Sequence, residues 1–387
     1  SSSAASDVYR RKALRKELKT KFECAVELAA AEQAEDTPVL LKDNWFARPT
    51  ESVLASYSLP GKDDIDPIPV MSIFYYIMFG LMFSDAGYGA IMVAVTGFAL
   101  WRFKNMEPNW KENMWMFFWC GVSTMFWGFM FGSFFGDAIG VISNTFFSGR
   151  VALKPIWLDP LQQPMTLLLF CLGIGILHLS AGLVLKGVTL FRHKQYPDII
   201  YDVAFPLMIV YPLVLMLMGA ELFENMSGFM FHYPPLVNTL LLVIIGVGCV
   251  GLILTGGRES KNWGKRLLKG IYALYNIFAG WLGDILSYSR LLALGLATGV
   301  IASVMNTMGS MPANGLGGIG GALAFIVIFL AGHALNFGIN VLGAYVHSNR
   351  LEFVEFFGKF YEGGGQKFNP FGMHTKYYKI EEETQNV

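Results

Sequence analysis

Long stretches without a single Asp, Glu, Lys or Arg alternate along this chain with short stretches where those residues collect. The uncharged runs span 67–84, 86–101, 113–136, 160–185, 203–220, 225–257 and 291–349. A helix needs about 20 apolar residues to cross a ~30 Å hydrocarbon layer. The first six runs therefore predict one helix each, the first two joined by a tight turn at 84–89. The last run is too long for one crossing, and the glycine-rich stretch 309–321 with Pro312 predicts a break, since proline ends a helical pattern. It reads as a hairpin. The fold class is all-α, a polytopic membrane protein with eight transmembrane helices.

Outside the runs, 1–36 is rich in Ala, Glu and Lys and reads as the end of a helical hairpin or coiled coil, which the resemblance given below implies to be the end of a cytoplasmic helical arm whose remainder is absent. Residues 37–66 read as a linker at the membrane surface, 67–360 as the membrane domain and 361–387 as a cytoplasmic tail. The N-terminus has neither a starting Met nor an apolar core, so it is not a signal peptide and reads as the cut end of something longer.

The last two helices differ from the others in length and in polar content. An arm over 267–308 would be roughly 63 Å long, about twice the hydrocarbon thickness, so it must tilt, bend or project. Arg290 lies ~27 Å along that arm from Met308, a mid-membrane depth in a strongly tilted helix. Steps of seven place Asn276, Gly283, Arg290 and Ala297 on one face, flanked by Gly280, Ser287 and Thr298, and small residues beside an arginine let another helix come close. Asp284, two turns before Arg290, is a candidate counter-charge. On the second arm His333, Asn336, Asn340, His347 and Arg350 follow one another at helical spacings. Such a stripe either lines a water-filled cavity or hydrogen-bonds neighbouring helices, and Arg290 itself either sits at depth or snorkels to the interface. Asp85 and Asp137 fall at helix ends and read either as caps or as an ion funnel. His178 reads as a satisfied core histidine.

Composition narrows the function. Of 387 residues, 54% are apolar and only 15% charged, and 29 basic residues balance 29 acidic ones. An ordinary soluble protein carries about 25% charged residues, and a nucleic-acid binder shows a basic excess; both classes are excluded. The four cysteines form no C-x-x-C pair, so neither a zinc site nor a redox centre is predicted. No phosphate-cradling G-x-x-x-x-G-K-[ST] and no H-E-x-x-H occurs, and no cofactor or metal is implied. Basic residues cluster before the first run and in every second loop, as at Arg102, Lys104 and Lys111 or Lys186, Arg192 and Lys194, whereas the alternate loops hold only Arg150 and Lys154. By the positive-inside rule both termini are cytoplasmic.

Four ordered segments carry a resemblance. GWLGDILSYSRLLALGLATG (280–299), DPIPVMSIFYYIMFGLMFSDAGYG (66–89), TMFWGFMFGSFFGD (124–137) and HSNRLEFVEFFGKFYEGGGQKFNPF (347–371) resemble the membrane subunit of V-type and archaeal A-type rotary ATPases, called subunit a in eukaryotes and subunit I in prokaryotes. The resemblance covers nearly everything from residue 37 onward. It implies eight membrane helices with the final two long and tilted. The implied role is an ion-translocating stator in the cell membrane, without catalytic activity of its own. The family's essential arginine falls on Arg290 and its supporting arginine on Arg350. Two aqueous half-channels would be lined by Asp284, Ser287, Thr298, His333, Asn336, Asn340 and His347, with Asp85 and Asp137 as an ion funnel. The implied partners are a rotor ring of small proteolipid subunits (c/K type), peripheral stalk subunits reached through the N-terminal arm, the soluble ATPase head indirectly, and lipid. This chain departs from the eukaryotic pattern at Thr298, where a His is usual, and at Asn340, where a Glu is usual, which gives it a prokaryotic look. The competing reading is a secondary transporter whose Arg290 binds an anion at the midplane. Its polar residues lie in the last hairpin alone, not in paired halves, which counts against that.

Overall fold

The computed structural model describes residues 2–22, 25, 38–61, 64–147, 154–228, 231–257 and 262–368. The end of the N-terminal segment (26–37), the polar tail beyond Phe368, and Cys24, Arg150, Arg258 and Lys261 lie outside them. The described chain is helical apart from one short strand pair. In order come α1 (Ser2–Lys21), β1 (Pro38–Val39), α2 (Glu51–Tyr57), α3 (Ile68–Phe83), α4 (Ala86–Arg102), α5 (Pro108–Phe131), α6 (Ala138–Phe146) and α7 (Pro164–Arg192). Then follow α8 (Tyr196–Ile199), a π turn (Ile200–Ala204) and α9 (Phe205–Met218), which make one rod, and α10 (Glu221–Ser227), α11 (Pro235–Thr255), α12 (Trp263–Ser287), α13 (Ser289–Leu316) and α14 (Gly318–Arg350). A second π turn (Leu351–Phe356) and a 3-10 turn (Phe357–Lys359) prolong α14, and β2 (Gln366–Lys367) pairs in parallel with β1.

The helix ends follow local chemistry. Pro108, Pro164 and Pro235 each occupy the first helical position, where a missing N–H costs nothing. Arg102 and Arg192 close α4 and α7, placing a cation on the last turn. Among the described residues, six helices are long and apolar enough to cross a membrane: Pro108–Phe131, Pro164–Arg192, Tyr196–Met218, Pro235–Thr255, Trp263–Gly315 and Gly318–Lys359. The first predicted pair is shorter, at 16 residues for α3 and 17 for α4. At 1.5 Å per residue these reach roughly 24–26 Å.

The short α3 is nevertheless the centre of the molecule. It packs on α5, α13 and α14, and Met71, Tyr75, Phe79 and Phe83 are wholly buried along it. By contrast α12 stands apart, with only Gly270 and Trp281 buried and Ile271, Tyr275, Phe278, Leu282 and Leu286 facing outward.

Two expectations about the final hairpin change. Helix α13 runs through Pro312 to Leu316, and the reversal is confined to Gly317 and Gly318, whose positive φ values of 60° and 54° only glycine adopts freely. Proline forfeits one hydrogen bond near the helix end. Packing of α13 on α14 and α6, with Ala313 buried, holds the last turn in place. The first arm is also not continuous. Helical bonding is interrupted at Tyr288, where Tyr288 N bonds back to Ile285 O and Leu291 N to Tyr288 O over three residues instead of four. Arg290 lies two residues past this break.

Candidate functional site

Two polar regions lie inside the apolar bundle. The first starts at Asp85, the N-cap of α4, which is buried. Its carboxylate accepts from the N–H groups of Gly87 (2.9 Å), Tyr88 (3.1 Å), Phe135 (3.0 Å) and Gly136 (2.8 Å) and from Ser133 Oγ (2.6 Å). It caps α4 and pins the loop between α5 and α6 at the same time. The cap geometry turns Tyr88 toward α14, where its hydroxyl bonds His333 Nδ1. His333 Nε2 lies 2.9 Å from Asn306 Oδ1, and Asn306 Nδ2 donates to Asp137 Oδ1 (2.9 Å) and Phe135 O (2.8 Å). Asn336 Nδ2 donates to Tyr88 Oη (2.9 Å) and Asn340 Nδ2 to Asn336 O (2.8 Å). Every donor in the series Asn340, Asn336, Tyr88, His333, Asn306 points the same way, toward Asp137, with neutral His333 protonated on Nε2. Amide side chains do not relay protons, so the series fixes dipoles. Thr298, also buried, bonds Leu294 O (3.0 Å) and Met82 O (3.3 Å), tying α13 to α3. A cavity of about 200 Å³ opens beside this region, walled by Ser84, Asp137, Asp159, Gly295, Gly299 and Ser303.

The second region surrounds the break at Tyr288. The Tyr288 hydroxyl lies 2.8 Å from His178 Nδ1, and His178 Nε2 lies 3.2 Å from Glu352 Oε2, all three side chains being fully buried. Gly175 makes room, since a Cβ there would meet the Tyr288 ring at 2.5 Å. The π turn after α14 widens the helix so that Glu352, Glu355 and Phe356 all face inward, and Phe356 stacks on His178 at 4.4 Å.

Arg290 Nη2 lies 3.7 Å from Glu355 Oε1. The expected counter-charge Asp284 is instead paired with Lys359, which also lies 5.6 Å above the Trp281 ring. The reason is reach: six residues along a helix put Asp284 on a neighbouring face, where the turn after α14 delivers the lysine. Ser287 Oγ bonds Gly283 O at 3.2 Å. His347 is half-buried and Arg350 exposed, so neither joins the first series. A Cβ at Gly280 or Gly283 would meet nothing within 4 Å, so the small-residue stripe is open before Arg290, whereas beyond it Thr298 is buried against α3. A second cavity, about 550 Å³, is walled by Lys186, Asp202, Asn276, Gly280, Trp281 and Lys359. Among the described residues no three His, Cys, Asp or Glu side chains gather as a metal site.

The structure thus joins His333, Asn336, Asn340 and Asp137, and separately gathers Arg290, Asp284 and Ser287. Sequence reasoning missed Tyr88, Asn306, Tyr288, Glu352 and Glu355. Asn306 carried a signal, as a polar residue deep in a 59-residue uncharged run; Glu352 and Glu355 read only as the polar side of an amphipathic turn.

The chain matches the V-type ATPase 116kDa subunit family over residues 6–154 and 280–373, which include Asp85, Asp137, Arg290, His333 and Glu355 but not His178. It is 31% identical over 353 residues to the A-type ATP synthase subunit I of Thermococcus kodakarensis, and 32% identical over 365 residues to that of Pyrococcus horikoshii. Each alignment covers 91% of this chain and 50% of the relative. The V-type ATP synthase subunit I of Borreliella burgdorferi is 28% identical over 366 residues, covering 91% of this chain and 57% of the relative. The chain spans about half the length of these curated relatives. With an apolar helical bundle and a family match over more than half of its residues, the chain belongs to the V-type ATPase 116kDa subunit family.

Proposed function

We propose that this chain is the membrane part of the ion-translocating stator of a rotary ATPase, crossing the cell membrane eight times with both termini cytoplasmic. The observation that carries the reading is the position of Arg290. It follows the break in the α12–α13 rod, it lies on a stripe of small residues that is open before it, and along the rod it falls between the residues of the two cavities. A rotor ring of small proteolipid subunits would pass along that stripe, each presenting one carboxylate. In lipid such a carboxylate travels neutralised by a proton or a metal ion. At Arg290 it meets a cation that cannot be deprotonated, which favours the ionised carboxylate and expels the ion. The cavity walled by Asp137 and Ser303 would serve one side of the membrane, and the one walled by Asn276 and Lys359 the other. The guanidinium between them blocks a direct leak. Moving each charge costs about 2.3 kcal/mol per 100 mV, supplied by ATP hydrolysis on a soluble head held through peripheral stalk subunits; the chain itself hydrolyses nothing.

In this reading Asp284, Ser287, Thr298, His333, Asn336, Asn340 and His347 line or shape the half-channels. Asp137, at a cavity wall, acts as ion funnel with Asp85 as its clamp, and Arg350 supports Arg290 from the cytoplasmic end. The test is ATP-driven ion uptake into vesicles holding equal amounts of assembled complex. Uptake should fall to near zero in Arg290→Ala and also in Arg290→Lys, because lysine lacks the planar fork and loses its proton when buried. Substantial uptake by Arg290→Ala would defeat the proposal.

A further inference from the structure

Arg290 has a counter-ion within its own chain. Glu355 is 3% exposed and reaches the guanidinium at 3.7 Å through one oxygen and one nitrogen. The other half of each group is idle: Arg290 Nη1 and Glu355 Oε2 are buried without a hydrogen-bond partner. A bidentate carboxylate would engage both halves of the fork. The pair is therefore loosely closed, and the Arg290 side chain, still 23% exposed, is accessible to a second carboxylate.

We propose that Glu355 is a positioning residue, the resident counter-ion that holds Arg290 between visits of the rotor carboxylate and competes with that carboxylate for the guanidinium. This rests on the stator reading above. Glu355 is suited to the task because its backbone cannot follow the rotor. Its neighbours Phe356 and Phe357 are fully buried, and Phe357 packs on Tyr57 (5.4 Å) and Tyr361 (4.9 Å). The remaining charged and titratable groups around the pair are engaged or lie to its side. Asp284 is held by Lys359 and Glu352 faces His178. Tyr288 is bonded to His178, and His347 and Arg350 approach from α14 and its end.

A fixed negative charge beside Arg290 weakens its hold on a second carboxylate, so the rotor group recovers its ion and moves on. Without that charge Arg290 keeps the rotor carboxylate ionised for longer, and reloading needs more of the transported ion. The experiment is ATP-driven uptake in vesicles containing the assembled complex, followed against pH at fixed Na⁺ and against Na⁺ at fixed pH. In Glu355→Gln the half-saturating ion concentration should rise by about threefold or more, because a nearby like charge that disfavoured the ionised carboxylate has gone. For a proton that is a shift of the profile by about half a unit toward acid. Glu355→Asp keeps the charge on a shorter stem and should shift the profile in the same sense by less. If Glu355→Gln does not assemble, Glu355→Asp carries the test, and an unshifted profile there overturns the proposal. An assembled Glu355→Gln complex with wild-type ion dependence overturns it as well. The two failures are separable. If Arg290→Ala is inactive and Glu355→Gln unshifted, only the counter-ion role falls; if Arg290→Ala transports ions, the stator reading falls with it.

Discussion

The two polar regions differ in how completely their hydrogen bonds are met. Around Asp85 and His333 the donors find acceptors across four elements, from the α5–α6 loop to α14. Around Arg290 several buried polar atoms have no hydrogen-bond partner: Arg290 Nη1, Glu355 Oε2, Glu352 Oε1 and His347 Nδ1. A fully satisfied network in a medium of low polarity is rigid and specifies one arrangement of helices, whereas unmet charge is costly and persists where something else is to meet it. One region holds the bundle together. The other leaves buried polar atoms unpaired.

That contrast is breakable, and the largest effect belongs to the satisfied side. Asp85→Ala strands five donors, at about 1–3 kcal/mol for each that stays buried. The protein should lose about 5 kcal/mol or more and fail to accumulate in membranes, as read by its yield after detergent extraction. Normal yield with a normal melting curve would show that the clamp is dispensable. On the unsatisfied side the expected sign reverses. Replacing the Arg290–Glu355 pair by leucines in one double variant should leave stability unchanged or raise it by about 1 kcal/mol, since burying a loose ion pair costs more than its attraction returns. Transport by that variant should be absent. A clear loss of thermal stability would place Arg290 among the groups that hold the bundle.

The smallest effect concerns the segment before α3, outside the membrane. Burial, and then the neighbouring Asp66 and Glu51 carboxylates, push the Asp43 carboxyl up to about 7. A carboxyl raised in the folded state binds more protons than in the unfolded one. Its penalty is therefore absent below about pH 4, grows as pH rises, and is complete above 7. Asp43→Asn should flatten the decline of melting temperature between pH 5 and 8 and raise it by about 2 °C at the alkaline end. An unchanged pH profile would mean that the segment is held without regard to this carboxyl.

How much of this was readable beforehand depends on the range of the interaction. Runs without charge located the rods, because that signal is local to each segment. The polar stripe on α14 was readable for the same reason. Its partners were not: Tyr88 and His333 are 245 positions apart, and only the packing of α3 between α5, α13 and α14 brings their elements together. Pro312 was misjudged because packing on α14 outweighs one lost hydrogen bond. Glu352 and Glu355 escaped because a π turn changes which residues face inward, and no periodicity of 3.6 anticipates that.

The clasp near the chain ends sets the order in which the molecule can be finished. β1 and β2 pair Pro38 with Gln366 and Val39 with Lys367, Tyr361 Oη donates to Ser58 O at 2.7 Å, and Asp64 Oδ2 accepts from both Gly61 N and Gly363 N. Some 300 residues separate the halves of this knot. During synthesis the early helices stay unclasped until residues 361–367 have been made, because long loops close late. The same closing segment brings Glu352 to His178 and Glu355 to Arg290. A nascent chain stopped before residue 351 carries α1 to α14 and lacks the carboxylate that faces its arginine.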